Sequence, residues 1–219
     1  MAAGSGRSWL QSVFGRSAPA IDPATALDLA ARELTNVAGR LPAYLDEVRE
    51  ETRAAASAPA AALHRRTVQA LEQVDRHLTA VADSGSPPQR ARATELAERS
   101  QLLRLLSDAV RELTEVIGRA GTAGEVAALS STIAEALHAI LLTAVDAVRE
   151  ADAIDIELLG QLTGDRTAVM ERLRQGLVRG ERTLTVEEHH VLITSTALFE
   201  RIVRLLRRFQ EGLCRDHSS

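Results

Sequence analysis

Two Glu-x-x-His pairs, Glu135/His138 and Glu187/His190, are the residues of this sequence with the plainest chemical potential. At i and i+3 on a helix, the two side chains point to one face. Two such pairs on different helices, joined by a lone Glu from each of two more, build the carboxylate di-iron and di-manganese sites of four-helix bundles. With 19 Glu and 6 His in the chain, pairs at this spacing also arise readily without that purpose. Glu187 and His190 fall in the first turn of an expected helix, where an acid favours the helix dipole. His138 lies between Leu137 and Ala139 on a mostly apolar stretch. The pairs therefore read as capping acids beside a partly buried histidine, and no metal or cofactor is expected. His189-His190 has no nucleophile to serve as an acid/base pair. There is no Gly-x-Ser-x-Gly, no Gly-rich phosphate loop and no cysteine in a catalytic context. No catalytic residue is assigned, and the chain reads as non-enzymatic. Near the C-terminus, Arg201, Arg204, Arg207 and Arg208 form either a solvated face or a docking surface for an anion or lipid head group, with Glu200 and Glu211 partly offsetting them.

Binding potential also lies in residues 1–21, which read as a flexible or juxtamembrane tail. Trp9, Leu10, Val13 and Phe14 recur at i, i+1, i+4 and i+5, flanked by Arg7 and Arg16. This short amphipathic turn holds the single Trp of the chain. Two placements follow from it: a contact with a membrane surface or another domain, or a fold back onto the core.

Composition says what must position these residues. The chain has 219 residues, enough for one large domain or two small ones. Ala (37) and Leu (30) dominate, all 26 basic residues are Arg, and aromatics are 2%. Strong helix formers with few β-branched or aromatic residues exclude an all-β fold. The apolar fraction of 45% argues against disorder. A net charge of −4 argues against a broad nucleic-acid footprint. Cys214 is the one cysteine, without an internal disulfide partner, and fits a reducing compartment as a surface thiol. Uncharged stretches such as Ala136 to Val145 fall short of the ~18–20 apolar residues of a membrane span. Met1 to Ser8 is small and polar, without the apolar segment of a secretory signal.

Periodicity and caps predict six helices. Helix 1 starts at Asp22-Pro23, an N-cap followed by Pro at N1, with the stripe Leu27, Ala30, Leu34, Val37, Leu41, Leu45, Val48. Pro42 predicts a kink near Leu41. Helix 2 runs from about Ala61 to Ala82, with Leu63, Leu71, Val74 and Leu78 inward. Ser86 before Pro87 caps helix 3, which carries Leu96, Leu103, Leu106, Val110, Leu113 and Ile117. Gly118, Gly121 and Gly124 then break the chain. Thr122 and Glu125 form a capping box for helix 4. Its stripe of Val126, Leu129, Ile133, Leu137, Ile140, Ala144 and Val148 continues to about Leu162. Asp165 opens helix 5 with Val169, Leu173 and Leu177, closed by Gly180. Thr185 and Glu188 form a second capping box, opening helix 6 with Leu192, Phe199, Ile202, Leu206, Phe209 and Leu213.

The Gly-rich joint at 118–124 divides these helices three and three. A weak internal repeat near a shift of 100 residues agrees: Asp46 to Glu50 with Asp146 to Glu150, Leu71-Glu72 with Met170-Glu171, and Leu96 to Arg99 with Leu198 to Arg201. The expected fold is an all-α six-helix bundle of two three-helix repeats, about 22–120 and 122–213, within a domain spanning 22–219.

This arrangement, with Leu198-Phe199-Glu200-Arg201-Ile202 late in the chain, resembles the PhoU family. Over about residues 21–212 the chain looks like the PhoU-like cytoplasmic domain of bacterial sodium/phosphate cotransporters. The segments that carry this are Ile21 to Leu27 with Ala31 to Leu34, Leu162 to Arg166 with Val169 to Arg174, and Leu198 to Phe209. The resemblance implies a cytoplasmic domain at the inner face of the cell membrane. It implies a membrane-embedded phosphate transporter domain or the membrane surface as partner, no nucleic acid, and a regulatory role in phosphate transport. In that setting Trp9, Leu10, Val13 and Phe14 are the membrane or partner contact. The family's metal-binding members use Glu/Asp-x-x-x-Asp repeats. No Asp here has an acid four residues before it, and Val203-Arg204 stand where the family's Gly-Asp would be, so the metal site does not carry over. The alternatives are a generic helical scaffold and a metal-dependent helical enzyme.

Overall fold

The computed structural model describes residues 22–46, 48–49, 60–120, 124–150, 152–164, 175 and 184–217. Among them there are six α-helices and no strand. The helices are α1 (Pro23–Ala38), α2 (Ala60–Ser84), α3 (Pro87–Ile117), α4 (Glu125–Arg149), α5 (Ala153–Leu162) and α6 (Val186–His217), and a 3-10 turn at Pro42–Tyr44 follows α1. The protein is an all-α bundle.

Local chemistry sets most of the ends. Asp22 takes the backbone N–H groups of Ala24 and Thr25 on one carboxylate oxygen at 3.0 and 3.1 Å, and Pro23 fills the first helical position. These bonds favour the carboxylate, so the Asp22 carboxyl is held below its ordinary range, the Thr25 hydroxyl contributing most. Ser86 N–H donates to Gln89 Oε1 at 2.8 Å ahead of Pro87. At the start of α6, Thr185 N–H donates to Glu188 Oε2 at 2.8 Å, and Glu188 N–H donates to Thr185 Oγ1 at 3.2 Å. The expected capping box therefore closes from both sides.

Three expectations are corrected. Pro42 does not kink one long helix: α1 stops at Ala38, Gly39 caps it, and Pro42 opens the separate 3-10 turn. Proline lacks the N–H that an ongoing helix needs, and its ring clashes with the preceding turn. Gly124, with φ at 96°, is the N-cap of α4 in place of the Thr122–Glu125 box. That φ is open to glycine and strained for other residues. The helix expected to reach Leu162 without interruption stops at Arg149. Asp152 then accepts from Ile154 N–H at 3.0 Å and starts α5, which does end at Leu162. The tail at 1–21 and, apart from Gln175, the helix expected from Asp165 through Val169, Leu173 and Leu177 to Gly180 lie outside the described residues.

The stripes meet in one core. Leu34, Leu71, Leu103, Leu106, Leu113, Leu137 and Leu192 are fully or almost fully buried. Burying each such side chain contributes about 1.5–3 kcal/mol. α3 packs against α1, α2 and α6, and α6 packs against α3, α4 and α5. Arg201 meets Glu112 at 3.8 Å and Arg215 meets Glu98 at 3.8 Å, so α3 and α6 run antiparallel. α4 is long and apolar enough to cross a bilayer by length and composition, although its uncharged runs are short. Its Val126, Ile133, Leu137, Ile140 and Leu141 are buried in the bundle core. The internal repeat meets unlike structure at one match: Asp46, Val48 and Arg49 lie in a turn, while Asp146 to Arg149 end a helix.

Candidate functional site

Glu135 and His138 lie on neighbouring turns of α4 and face Arg49, which follows the 3-10 turn. Arg49 Nε donates to Glu135 Oε1 at 2.9 Å, and Arg49 Nη1 lies 3.0 Å from His138 Nε2. Asp46 Oδ1 stands 3.9 Å from both Arg49 Nη1 and His138 Nε2. A guanidinium has only donors, so His138 Nε2 must accept, which makes the ring neutral with its proton on Nδ1. The electrostatics agree. Burial and then the Arg49 charge lower the His138 pKa, against smaller opposing effects of Asp46 and Glu135. The hydrogen bond from Arg49 lowers that of Glu135.

This geometry decides what the first Glu-x-x-His pair can do. Glu135 Oε1 and His138 Nε2, two of the atoms that would ligate a metal, already hold the Arg49 guanidinium. Glu187 and His190 are exposed in the first turn of α6, as is His189, so the two pairs do not form one centre. Among the described residues, no three His, Cys, Asp or Glu side chains gather to hold a metal. Arg201, Arg204, Arg207 and Arg208 lie on the exposed face of α6. Arg204 reaches Glu200 at 3.8 Å and Arg207 reaches Glu211 at 3.5 Å. Cys214 is exposed and accepts from Gln210 Nε2 at 3.1 Å. Trp9, Leu10, Val13 and Phe14 lie outside the described residues.

A second cluster went unnoticed in the sequence. The Tyr44 hydroxyl, fully buried, sits 2.8 Å from Ser107 Oγ and 3.5 Å from His64 Nδ1. His64 Nδ1 is 3.2 Å from Ser107 Oγ, and His64 Nε2 is 3.5 Å from Asp108 Oδ1. Serine, histidine and aspartate thus stand in the order of a nucleophilic triad. Two features separate the cluster from one. Ser107 is 1% exposed, out of a substrate's reach. It also sits inside α3, where backbone N–H groups are spent on the helix and cannot form an oxyanion hole. The cluster is a polar clamp. It holds the ring of Tyr44 between α2 and α3, and Thr114 Oγ1 donates to the Tyr44 carbonyl at 3.1 Å.

Both clusters fasten the same stretch, residues 44–49, one to α2 and α3 and the other to α4. Their partners stand 20 to 89 positions apart in the chain, and no local spacing announces them. The one sequence signal was Asp46 to Arg49 as half of an internal repeat. No protein-family model matches the chain, and neither a curated protein nor a solved structure matches it.

Proposed function

We propose that the chain is a non-catalytic helical domain that works by docking, at the inner face of a membrane, in association with sodium-dependent phosphate transport. The observation that carries the non-catalytic part is the Arg49 guanidinium on Glu135 and His138. The residues best suited to acid/base or metal chemistry serve instead to tie the turn after α1 to α4. Ser107, in a triad-like order with His64 and Asp108, is buried and holds Tyr44 against α3.

The membrane side of the reading is supported by Trp9, Leu10, Val13 and Phe14 between Arg7 and Arg16. Such rings favour a bilayer interface, and the arginines favour anionic head groups. The phosphate association, and the division into two three-helix repeats, rest on the three resembling segments and on the break between α3 and α4.

The test is phosphate uptake. In cells that make this protein, its gene is deleted, and sodium-dependent uptake of labelled phosphate is compared before and after re-expression. The expected result is a changed uptake rate, restored by the wild-type chain. It is not restored when Trp9, Leu10, Val13 and Phe14 are all alanine. An unchanged rate on deletion ends the phosphate reading and leaves a helical scaffold.

A further inference from the structure

A groove of about 290 Å³ runs between the end of α2 and the start of α3, lined by Asp75, Leu78, Thr79, Ala82, Ala93 and Thr94 together with Ala97. Leu78 and Ala93 are its buried floor, and Thr79, Ala82, Thr94 and Ala97 are its exposed walls. Its polar groups are already spent. Thr79 Oγ1 donates to the Asp75 carbonyl at 2.8 Å, and Thr94 Oγ1 to the Arg90 carbonyl at 3.0 Å. Asp75 accepts from Ser100 Oγ at 2.9 Å on one carboxylate oxygen and from Arg104 at 2.8 Å on the other. A polar ligand would find few open partners here, whereas methyl groups and a leucine offer contact to large apolar side chains.

The chain before α1 holds a candidate occupant for this groove. α1 packs on α2, and the stretch after α1 brings Tyr44 against His64 near the start of α2. α1 has 16 residues, which at about 1.5 Å each spans roughly 24 Å. Laid back along α2 from that anchor, its first residue comes level with the Leu78 to Ser84 end. Asp22, to which the preceding chain is joined, therefore stands at the end of the bundle that holds the groove. From Asp22 back to Phe14 the tether reaches at most about 3.3–3.6 Å per residue, enough to span either helix of the hairpin. That chain carries the densest large-apolar cluster outside the helices: Trp9, Leu10, Val13 and Phe14.

We propose that the α2–α3 groove is the docking site of the chain's own Trp9 to Phe14 segment. Small alanines at 82, 93 and 97 leave room between the helices that an aromatic side chain fills. This goes beyond the reading above and does not depend on phosphate. A membrane would have to compete with the groove for the same four side chains.

Trp9 is the single tryptophan, so its fluorescence reports on the segment directly. The full chain, dilute and free of lipid, is compared with the Ala82→Arg/Ala97→Arg variant. Both positions are exposed on helices, so helicity stays the same. The wild type is expected to show blue-shifted emission and several-fold weaker acrylamide quenching than the variant. A cross-link keeps the test independent of spectroscopy. In a Cys214→Ser background, Phe14→Cys is expected to form a disulfide with Ala97→Cys. It is not expected to do so with Glu115→Cys, about 27 Å further along α3. Water-exposed emission in the wild type overturns the proposal. So does protection that the arginine variant leaves intact, or protection that disappears on dilution, which would mark a segment supplied by a second copy. The uptake assay contains none of these readouts, so each reading can fail without the other.

Discussion

Arg49 and His138, 89 positions apart, meet with guanidinium Nη1 3.0 Å from imidazole Nε2, while the same guanidinium holds Glu135 at 2.9 Å. One cation thus fastens the turn after α1 to two residues of α4. Both the Arg49 and His138 side chains are only 16% exposed, so their bonds are partly shielded from water. Arg49→Ala is expected to destabilise the protein by about 1.5–3 kcal/mol, the range for hydrogen bonds to charged groups. Arg49→Lys is expected to recover little of this, because an ammonium cannot present two donors in the same plane. Urea denaturation of the three proteins checks both statements.

The same contact gives stability a pH dependence. His138 titrates lower in the folded protein than its ordinary value of 6.5, so the unfolded chain takes the proton first. Stability is then fully present at neutral pH and declines as pH falls through the unfolded value toward the lowered folded one. Glu135, with its pKa lowered from 4.5, contributes stability that is lost further down, as pH falls through its folded value. Unfolding free energy measured between about pH 7.5 and 5.5 should decline with acid, and His138→Gln should flatten that slope. The amide keeps an acceptor for Arg49 without titrating. An equal slope in the variant would assign the effect to other groups.

Tyr44 is expected to be the most costly single position in residues 41–49. Tyr44→Phe keeps the packing but removes the hydroxyl from Ser107 and His64, at about 1–3 kcal/mol for the buried groups left without it. Tyr44→Ala also leaves a cavity and should cost about 3–5 kcal/mol. Ser107→Ala should lower thermal stability modestly. A fluorophosphonate probe should fail to label Ser107 in the wild type, and labelling there would reverse the reading of the cluster as a clamp.

Thr185→Ala removes the cap acceptor of α6 and is expected to cost about 1 kcal/mol. Thr185→Ser should retain most of it. Thermal melts of the three proteins read the difference.

The purified protein is expected to carry no stoichiometric transition metal. A metal at Glu135 and His138 would have to displace Arg49 from both. Elemental analysis after dialysis checks this. Near one iron or manganese per chain, lost in Glu135→Ala or His190→Ala, would restore the metal reading.

The sequence by itself determined where most helices begin and which faces they bury. Asp22-Pro23, Ser86-Pro87 and Thr185 with Glu188 act within four residues, because a cap needs only the first turn of its own helix. The stripes Leu96 to Ile117 and Leu192 to Leu213 are buried at each position predicted for them, because a 3.6-residue period is a property of one helix. The tertiary structure alone decided the rest. Whether Pro42 bends a helix or ends it depends on partners that can hold the following turn. Those partners, Ser107, His64, Glu135 and His138, come from three other helices. Which residues oppose one another across a bundle is set by how helices slide and rotate to interlock their side chains, which the period of each one alone leaves open. For that reason Glu135 and His138 could be seen in the sequence as a pair, while the arginine that occupies them could not.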